Sequence, residues 1–398
     1  MAGRSYPPGT VLAGACAAQA AVSFVAFGLP AVGPELRHAY GLTLPELGAI
    51  LTAIFLGSGV GLVGAGIAVD RFGSRRTMLA GAALGSAGLA GAGFAGSKHV
   101  LFAALLVSGL GSAVVPIAGA GALFRVYPAA RRGWALGVRQ MAVPLGGTVA
   151  ALVLPGLESA GGVRLPLLAG ATAVGLTGIA FAAVSGGERL RRAETKRAFR
   201  RIVRAPGMGR LLLVASLYIV VLQGVLVYSV PAVRAAGFSS FSASATFFAI
   251  NVTAMAARLV WGRLADRAAG TRRSRTLVQI GLVASVGGVL FTLALHTGAV
   301  AVVAAAILFG FGALGWNAVV YVSAGERASP ELAGRSVALA ATVVFLLSAA
   351  ATPPLGALAE HAGWDAFWLT CTALALAGAA VAASLAKAWS AERGEVGS

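Results

Sequence analysis

Residues 66–76 read GIAVDRFGSRR, and they follow one long apolar segment and end in a basic turn. A shortened copy, GRLADR, occupies residues 262–267, again between a long apolar segment and a basic one. The two Asp-Arg pairs begin at Asp70 and Asp266, which lie 196 positions apart in a chain of 398 residues. Ala269 stands in the second copy where the first has Gly73. A polar turn repeated after half the chain predicts two related halves.

The composition is that of a polytopic membrane protein. Apolar residues make up 58% of the chain and charged residues only 11%, whereas a soluble domain carries about 25% charge. The 55 glycines suit helices that pack closely in lipid. The net charge of +18 lies in short loops between apolar runs, which argues against a nucleic-acid partner. Cys16 and Cys371 lie inside apolar segments, so neither a metal site nor a disulfide framework is predicted.

The apolar runs predict an all-α membrane protein with twelve transmembrane helices in two pseudo-symmetric six-helix bundles, since a span needs about 20 apolar residues. The predicted spans are residues 10–33, 44–69, 77–96, 99–122, 134–156, 163–184, 208–231, 241–264, 276–296, 299–322, 333–356 and 364–387. The corresponding domains are an N-terminal bundle at 1–184, a basic cytoplasmic linker at 185–207 and a C-terminal bundle at 208–398.

The distribution of Lys and Arg predicts the orientation of these spans. With both termini in the cytoplasm, 25 of the 31 basic residues fall on the cytoplasmic side and four on the outer side. The remaining two, Arg139 and Arg258, fall inside spans. Cytoplasmic loops carry the excess of positive charge, so we expect both termini to be cytoplasmic. The basic linker is then expected to lie along anionic lipid at that surface.

The repeated turn resembles the loop between the second and third helices of the major facilitator superfamily. The family pattern is Gly, three residues, Asp-Arg, one residue, Gly, one or two residues, and then a basic residue. Residues 132–137 (RGWALG) and 144–147 (PLGG) are similar to the family's fifth helix. The resemblance covers essentially the whole chain. It implies the major facilitator fold, secondary transport without a cofactor, and a cytoplasmic gate. The gating residues that it implies are Gly66, Asp70, Arg71, Gly73, Arg75, Asp266 and Arg267.

Charges inside the spans indicate the class of substrate. All 13 acidic residues fall in loops, tails or the end turns of spans, so no acid is expected at mid-membrane. A buried guanidinium needs a partner or a water-filled cavity. For Arg139 and Arg258 the natural partner is therefore a bound anion, and the arginine fork suits a carboxylate. The alternative is that each arginine extends to the cytoplasmic surface or headgroups.

The run ARLVWGRLA at residues 257–265 resembles the eighth helix of monocarboxylate transporters and of the oxalate:formate antiporter. In those carriers an arginine four residues before the glycine binds the substrate carboxylate, which here is Arg258. Ala254 replaces the acid that proton-coupled members carry one turn earlier. Each of the further candidates for substrate contact can instead serve only to hydrogen-bond or pack one helix against another. They are Gln19, Phe24, Gln140, Gln223, Tyr228, Asn251, Trp316 and Asn317.

We therefore predict a secondary active or facilitative transporter of a small organic anion, with a carboxylate as the favoured class. It is expected to be a multi-pass protein of the prokaryotic plasma membrane. No phosphate-binding loop and no nucleophile-base-acid set occurs in the sequence, so we expect neither ATP coupling nor an enzyme. The protein is expected to be a monomer in the lipid bilayer. The sequence does not distinguish symport, exchange and uniport as modes of transport. One alternative is a drug or multidrug efflux carrier of the same superfamily. Another, of a different class, is a membrane receptor or scaffold that uses the basic linker.

Overall fold

The computed structural model of the chain describes residues 6–185, 201–267, 272–327 and 333–395. These residues form helices and, within the described ranges, no β-strand. The chain divides into two compact units, Met1–Arg192 and Ala193–Ser398. Most of the predicted basic linker, residues 186–200, lies outside the described residues.

The first unit contains eight described helices and a short 3₁₀ turn, Leu29–Val32, between the first two of them. The helices are α1 (Pro8–Ala26), α2 (Gly33–Tyr40), α3 (Leu44–Phe72), α4 (Ser74–Gly93), α5 (Lys98–Ser112), α6 (Val114–Val126), α7 (Ala129–Gly161) and α8 (Arg164–Val184).

The second unit contains six described helices, of which the last is much longer than the others. They are α9 (Met208–Ala235), α10 (Ser240–Arg267), α11 (Arg272–Ala294), α12 (Ala299–Ala313), α13 (Asn317–Arg327) and α14 (Ala333–Glu395). The 63 residues of α14 are two helices joined at Gly363, whose φ of 84° and ψ of 171° are not helical.

Local sequence signals explain where α3 begins and ends. Thr43 and Glu46 form a capping box in which the Glu46 amide donates to Thr43 Oγ1 at 3.3 Å and the Thr43 amide donates to Glu46 Oε2 at 2.9 Å. Gly73 ends the helix with φ 81° and ψ 162°, a backbone region that is essentially restricted to glycine. The motif glycine of the first Asp-Arg turn is therefore the residue that allows α4 to follow α3 directly.

Ten helical stretches within the described residues are long and apolar enough to cross a membrane. One of them, Ser336–Leu385, has 50 residues. As an unbroken helix it would be about 75 Å long, more than twice the thickness of the hydrocarbon core, which is about 30 Å. The 20-residue α4 is not among the ten, because Arg75 and Arg76 and several glycines and serines lower its hydropathy.

The structure differs from the predicted spans at two places. The first apolar stretch continues through the 3₁₀ turn and α2 to Tyr40, so Glu35, expected in a loop, lies in the first turn of α2. There a carboxylate lies near the positive end of the helix dipole. The predicted span 299–322 is interrupted at Leu314–Trp316, between α12 and α13.

Close glycine contacts and aromatic contacts pack the helices within the units. In the first, α1 and α7 approach so closely that a Cβ at Gly146 would lie 2.4 Å from the Ala20 carbonyl oxygen. In the second, an aromatic cluster includes Phe291, Phe309 and Trp368, with ring centroids 4.9–6.0 Å apart. Close backbone contact and dispersion hold helices together in lipid, where burial of apolar surface gives little driving force.

Candidate substrate-binding site

Arg139 lies in α7 and is buried inside the first unit, with only 6% of its surface exposed. Its Nη1 donates to the Pro116 carbonyl oxygen of α6 at 3.1 Å and to Gln19 Oε1 of α1 at 3.4 Å. Its Nε is buried and donates no hydrogen bond within the described part of the chain. A cation thus lies where α1, α6 and α7 meet, with only part of its donor capacity used.

The surroundings of Arg139 fix the position of its guanidinium. Gln19 accepts from Arg139 and its Nε2 lies 3.5 Å from Ser23 Oγ on the next turn of α1. Gly119 of α6 leaves the space that the arginine occupies, since a Cβ there would lie 3.0 Å from Nη1 and 3.4 Å from Cδ. Cys16 of α1 also lies within electrostatic range of the guanidinium.

Arg258 lies in α10 of the second unit and is half-buried, with its Nε enclosed. Tyr321 of α13 lies within electrostatic range of its guanidinium. Ala254, one turn earlier in α10, is 1% exposed. The two arginines predicted from the sequence therefore lie one in each unit, and the Nε atom of each is buried.

The other predicted substrate contacts differ in burial and in hydrogen bonding. Gln140 is exposed although its neighbour Arg139 is buried, because adjacent residues on a helix point about 100° apart. Asn251 is 2% exposed and its Nδ2 donates to the Phe247 carbonyl oxygen of the same helix at 3.0 Å. Tyr228 is fully buried, and its hydroxyl donates to the Thr352 carbonyl oxygen at 2.6 Å.

Trp316 and Asn317 lie where α12 ends and α13 begins. Trp316 is fully buried, and within the described residues its Nε1 has no hydrogen-bond acceptor. Asn317 is half-buried, and its Oδ1 is likewise enclosed without a donor among the described residues. The gap beside Trp316 and Tyr218 has no room for even a water-sized molecule, so we interpret it as a packing gap and not as a ligand pocket.

The residues of the predicted gate are described only in part. Gly73 forms the turn between α3 and α4, and Arg71 and Arg75 are exposed. A Cβ at Gly66 would meet none of the described residues within 4 Å. The side chains of Asp70, Asp266 and Arg267 lie outside what the structure describes.

Sequence reasoning missed a second buried arginine near the second copy of the turn. Arg273 is 8% exposed, donates from Nε to the Ala265 carbonyl oxygen at 3.2 Å, and pairs through Nη1 with Glu326 of α13. It thereby joins the ends of α10, α11 and α13. Gly119 and Pro116 beside Arg139 were also missed. The signal for Arg273 was present in the basic run after Asp266, which was read only as an indicator of orientation.

Comparisons with known proteins agree with this architecture. The family description "Major Facilitator Superfamily" matches residues 15–352 of the chain. Two uncharacterized MFS-type transporters, from two strains of Mycobacterium tuberculosis, are 27% identical over 355 residues, which cover 86% of this chain and 78% of theirs.

Solved structures similar to the chain share its fold along nearly its whole length. A bacterial homolog of the human lysosomal transporter Spinster has a TM-score of 0.78 at 14% identity, covering 96% of this chain and 97% of the homolog. A peptide transporter has a TM-score of 0.75 at 16% identity and covers 97% of both chains. A D-xylose–proton symporter has a TM-score of 0.72 at 13% identity, covering 94% of this chain and 96% of the symporter. The chain described here belongs to the major facilitator superfamily.

Proposed function

We propose that this membrane transporter moves a small organic anion across the plasma membrane, and that this anion is a carboxylate. The observation that carries the proposal is the burial of Arg139 in a membrane helix. A guanidinium in a span is costly unless it is paired or serves a ligand. Arg139 is held by two neutral oxygens, of Gln19 and Pro116, which leave its positive charge uncompensated.

The ion pairs of the described residues support the proposal. Three are seen, Lys98–Glu46, Arg273–Glu326 and His296–Asp365, and their members lie near the ends of helices. Arg139 takes part in none of them. A substrate carboxylate would supply the negative charge that this part of the first unit lacks.

Arg258 supplies a second cation in our proposal, in the other unit. Its Nε is enclosed by α10 and its neighbours, and Tyr321 adds a hydroxyl within its electrostatic range. We propose that transport proceeds by alternating access.

We infer twelve spans with both termini in the cytoplasm. In support, α14 is too long for one crossing and contains the break at Gly363. The first, fourth and tenth spans are each formed by two short helices in sequence. Counted this way, each unit contributes six spans. The excess of basic residues on one side of these spans supports the orientation.

The proposal is tested by uptake into liposomes that contain the purified full-length protein. We expect labelled benzoate or oxalate to enter, and a dipeptide and D-xylose, which carry no net anionic charge, to be excluded. Arg139→Ala and Arg258→Ala should each raise the half-saturating concentration by about tenfold or more, because hydrogen bonds to charged groups contribute about 1.5–3 kcal/mol.

The matched control is Arg210→Ala, which removes an exposed positive charge near the start of α9. Uptake by this variant should equal that of the wild type. Entry of the dipeptide or the sugar with no entry of either carboxylate would refute an anion carrier. Unchanged carboxylate uptake in both arginine variants would refute the assigned residues.

A further inference from the structure

We infer that Arg139 binds a carboxylate through its Nε–Nη2 edge, and that Gln19 and Gly119 are the residues that hold this edge in position. The inference rests on the proposed function and deepens it. It assigns a geometry to the anion site, places that site inside the first unit, and adds two positioning residues to it.

The hydrogen bonds of Arg139 determine which edge of the guanidinium is available. A guanidinium has five N–H donors in one plane. Both Nη1 hydrogens have acceptors, in the Pro116 carbonyl oxygen at 3.1 Å and Gln19 Oε1 at 3.4 Å. Nε is buried without an acceptor among the described residues, and the hydrogen bonds that Arg139 donates within these residues both come from Nη1. The N–H of Nε and one N–H of Nη2 lie parallel on the same edge.

A pair of parallel donors matches the two oxygens of a carboxylate. Bidentate pairing of this kind is the strongest and most directional interaction that arginine makes with an anion. A lysine at the same position would supply the charge without the fork. Leaving a guanidinium edge unsatisfied inside the helix bundle is unfavourable, and a bound carboxylate would remove that cost.

Gln19 limits how the guanidinium can turn. If Nη1 is fixed by Gln19 of α1 and the carbonyl oxygen of Pro116 on α6, the plane of the guanidinium and the direction of its other edge are fixed as well. Gln19 keeps its orientation through the 3.5 Å contact of its Nε2 with Ser23 Oγ. The close approach of α1 to α7 at Gly146 holds the two helices together two turns away.

Gly119 sets the distance between α6 and the arginine. A Cβ at this position would lie 3.0 Å from Nη1, so any larger residue pushes the guanidinium away from the Pro116 carbonyl oxygen. Gln19 and Gly119 act on the anion through Arg139. They are positioning residues, and their substitution is expected to alter affinity for the anion more than the maximal rate of uptake.

Gln19→Glu tests the inference with a variant that should fold. The new carboxylate would pair with Arg139 from the site of the present amide and compensate its charge. We expect the ligand-free protein in nanodiscs to melt at the same or a higher temperature. Thermal stabilisation by benzoate should then require a concentration at least about tenfold higher. A purely structural role for Arg139 predicts no change in benzoate binding.

Arg139→Lys provides the second measurement, because it keeps the charge and loses the parallel donors. Benzoate should bind this variant at least about tenfold more weakly than the wild type. Benzamide, a neutral relative of similar shape, should stabilise neither protein. Equal benzoate affinity in the wild type, Gln19→Glu and Arg139→Lys would overturn the inference.

The outcomes separate this inference from the proposed function. If benzoate and oxalate fail to bind the wild type, the proposed function is refuted and the inference falls with it. If they bind the wild type, Gln19→Glu and Arg139→Lys equally, but not Arg258→Ala, the anion carrier stands and the Arg139 edge is excluded. If they bind the wild type and lose affinity in Gln19→Glu and Arg139→Lys, both are supported.

Discussion

At the scale of single residues, the position of Arg139 depends on a residue that has no side chain. Gly119 faces the guanidinium across the contact between α6 and α7, and a Cβ there would come within 3.0 Å of Nη1. Such contacts are tighter than ordinary packing, so either the arginine or the helix must shift.

We predict that Gly119→Ala weakens carboxylate binding several-fold and lowers stability by about 1 kcal/mol, a usual cost of overpacking. The measurement is benzoate binding to the purified variant, together with its melting temperature. Gly137→Ala is the matched control, because a Cβ at Gly137 of α7 would meet none of the described residues within 4 Å. Equal losses of affinity in the two variants would contradict the assigned role of Gly119.

The sequence identified Arg139 as a candidate but not the residues around it. An arginine inside an apolar run is visible from hydropathy alone. Its partners are not, because Gln19 precedes it by 120 residues and Pro116 by 23. Gln140 was predicted from its adjacency in sequence, and the structure places it exposed. Which side chains meet is set by helix rotation and by glycine contacts that no local pattern specifies.

At the scale of helices, three connections turn at glycines whose backbone conformation few other residues adopt. They are Gly73 between α3 and α4, Gly162 between α7 and α8, and Gly363 within α14, with φ of 81°, 63° and 84°. Their ψ angles are 162°, −171° and 171°. A side chain in this region costs about 1–3 kcal/mol.

We predict that Gly363→Ala lowers the stability of the protein by about 1–3 kcal/mol through this strain. Its melting temperature in nanodiscs should fall relative to the wild type. Gly209→Ala, a helical position in α9 with nothing within 4 Å of a Cβ, should leave it unchanged or raise it. A Gly363→Ala protein as stable as the wild type would show that the turn tolerates other residues.

The helix boundaries show how far hydropathy can predict this fold. The predicted span 44–69 corresponds to α3 (Leu44–Phe72), and 208–231 corresponds to α9 (Met208–Ala235). The break between α12 and α13 was missed, because Ala, Leu, Gly and Trp there are all compatible with an apolar run. At this break Gly315 packs closely against α10, where a Cβ would lie 2.3 Å from Trp261 Cδ1.

At the scale of the whole molecule, the number of spans determines the side on which each connection lies. If α14 crosses the membrane twice, residue 363 lies on the side opposite to residue 395. The excess of Lys and Arg in one set of loops further predicts that the C-terminus is cytoplasmic.

Fusions of alkaline phosphatase, which is active only outside the cytoplasm, test this topology. We expect activity when the enzyme follows residue 363 and none when it follows residue 395. A fluorescent protein that folds only in the cytoplasm should show the reverse pattern. The same result at both positions, for either reporter, would contradict two crossings by α14 and the count of twelve spans.

The turn at Gly363 has a practical consequence for handling the protein. Only Gly363 departs from helical φ and ψ there, and the chain is helical on both sides of it. Proteases cleave most readily in exposed loop tips, and antibodies against linear epitopes need an accessible stretch of chain. Residues 360–363 are exposed, but the chain there is helical except at Gly363 and forms no loop. Limited digestion should therefore spare this connection, and an epitope tag inserted there would need spacers of its own.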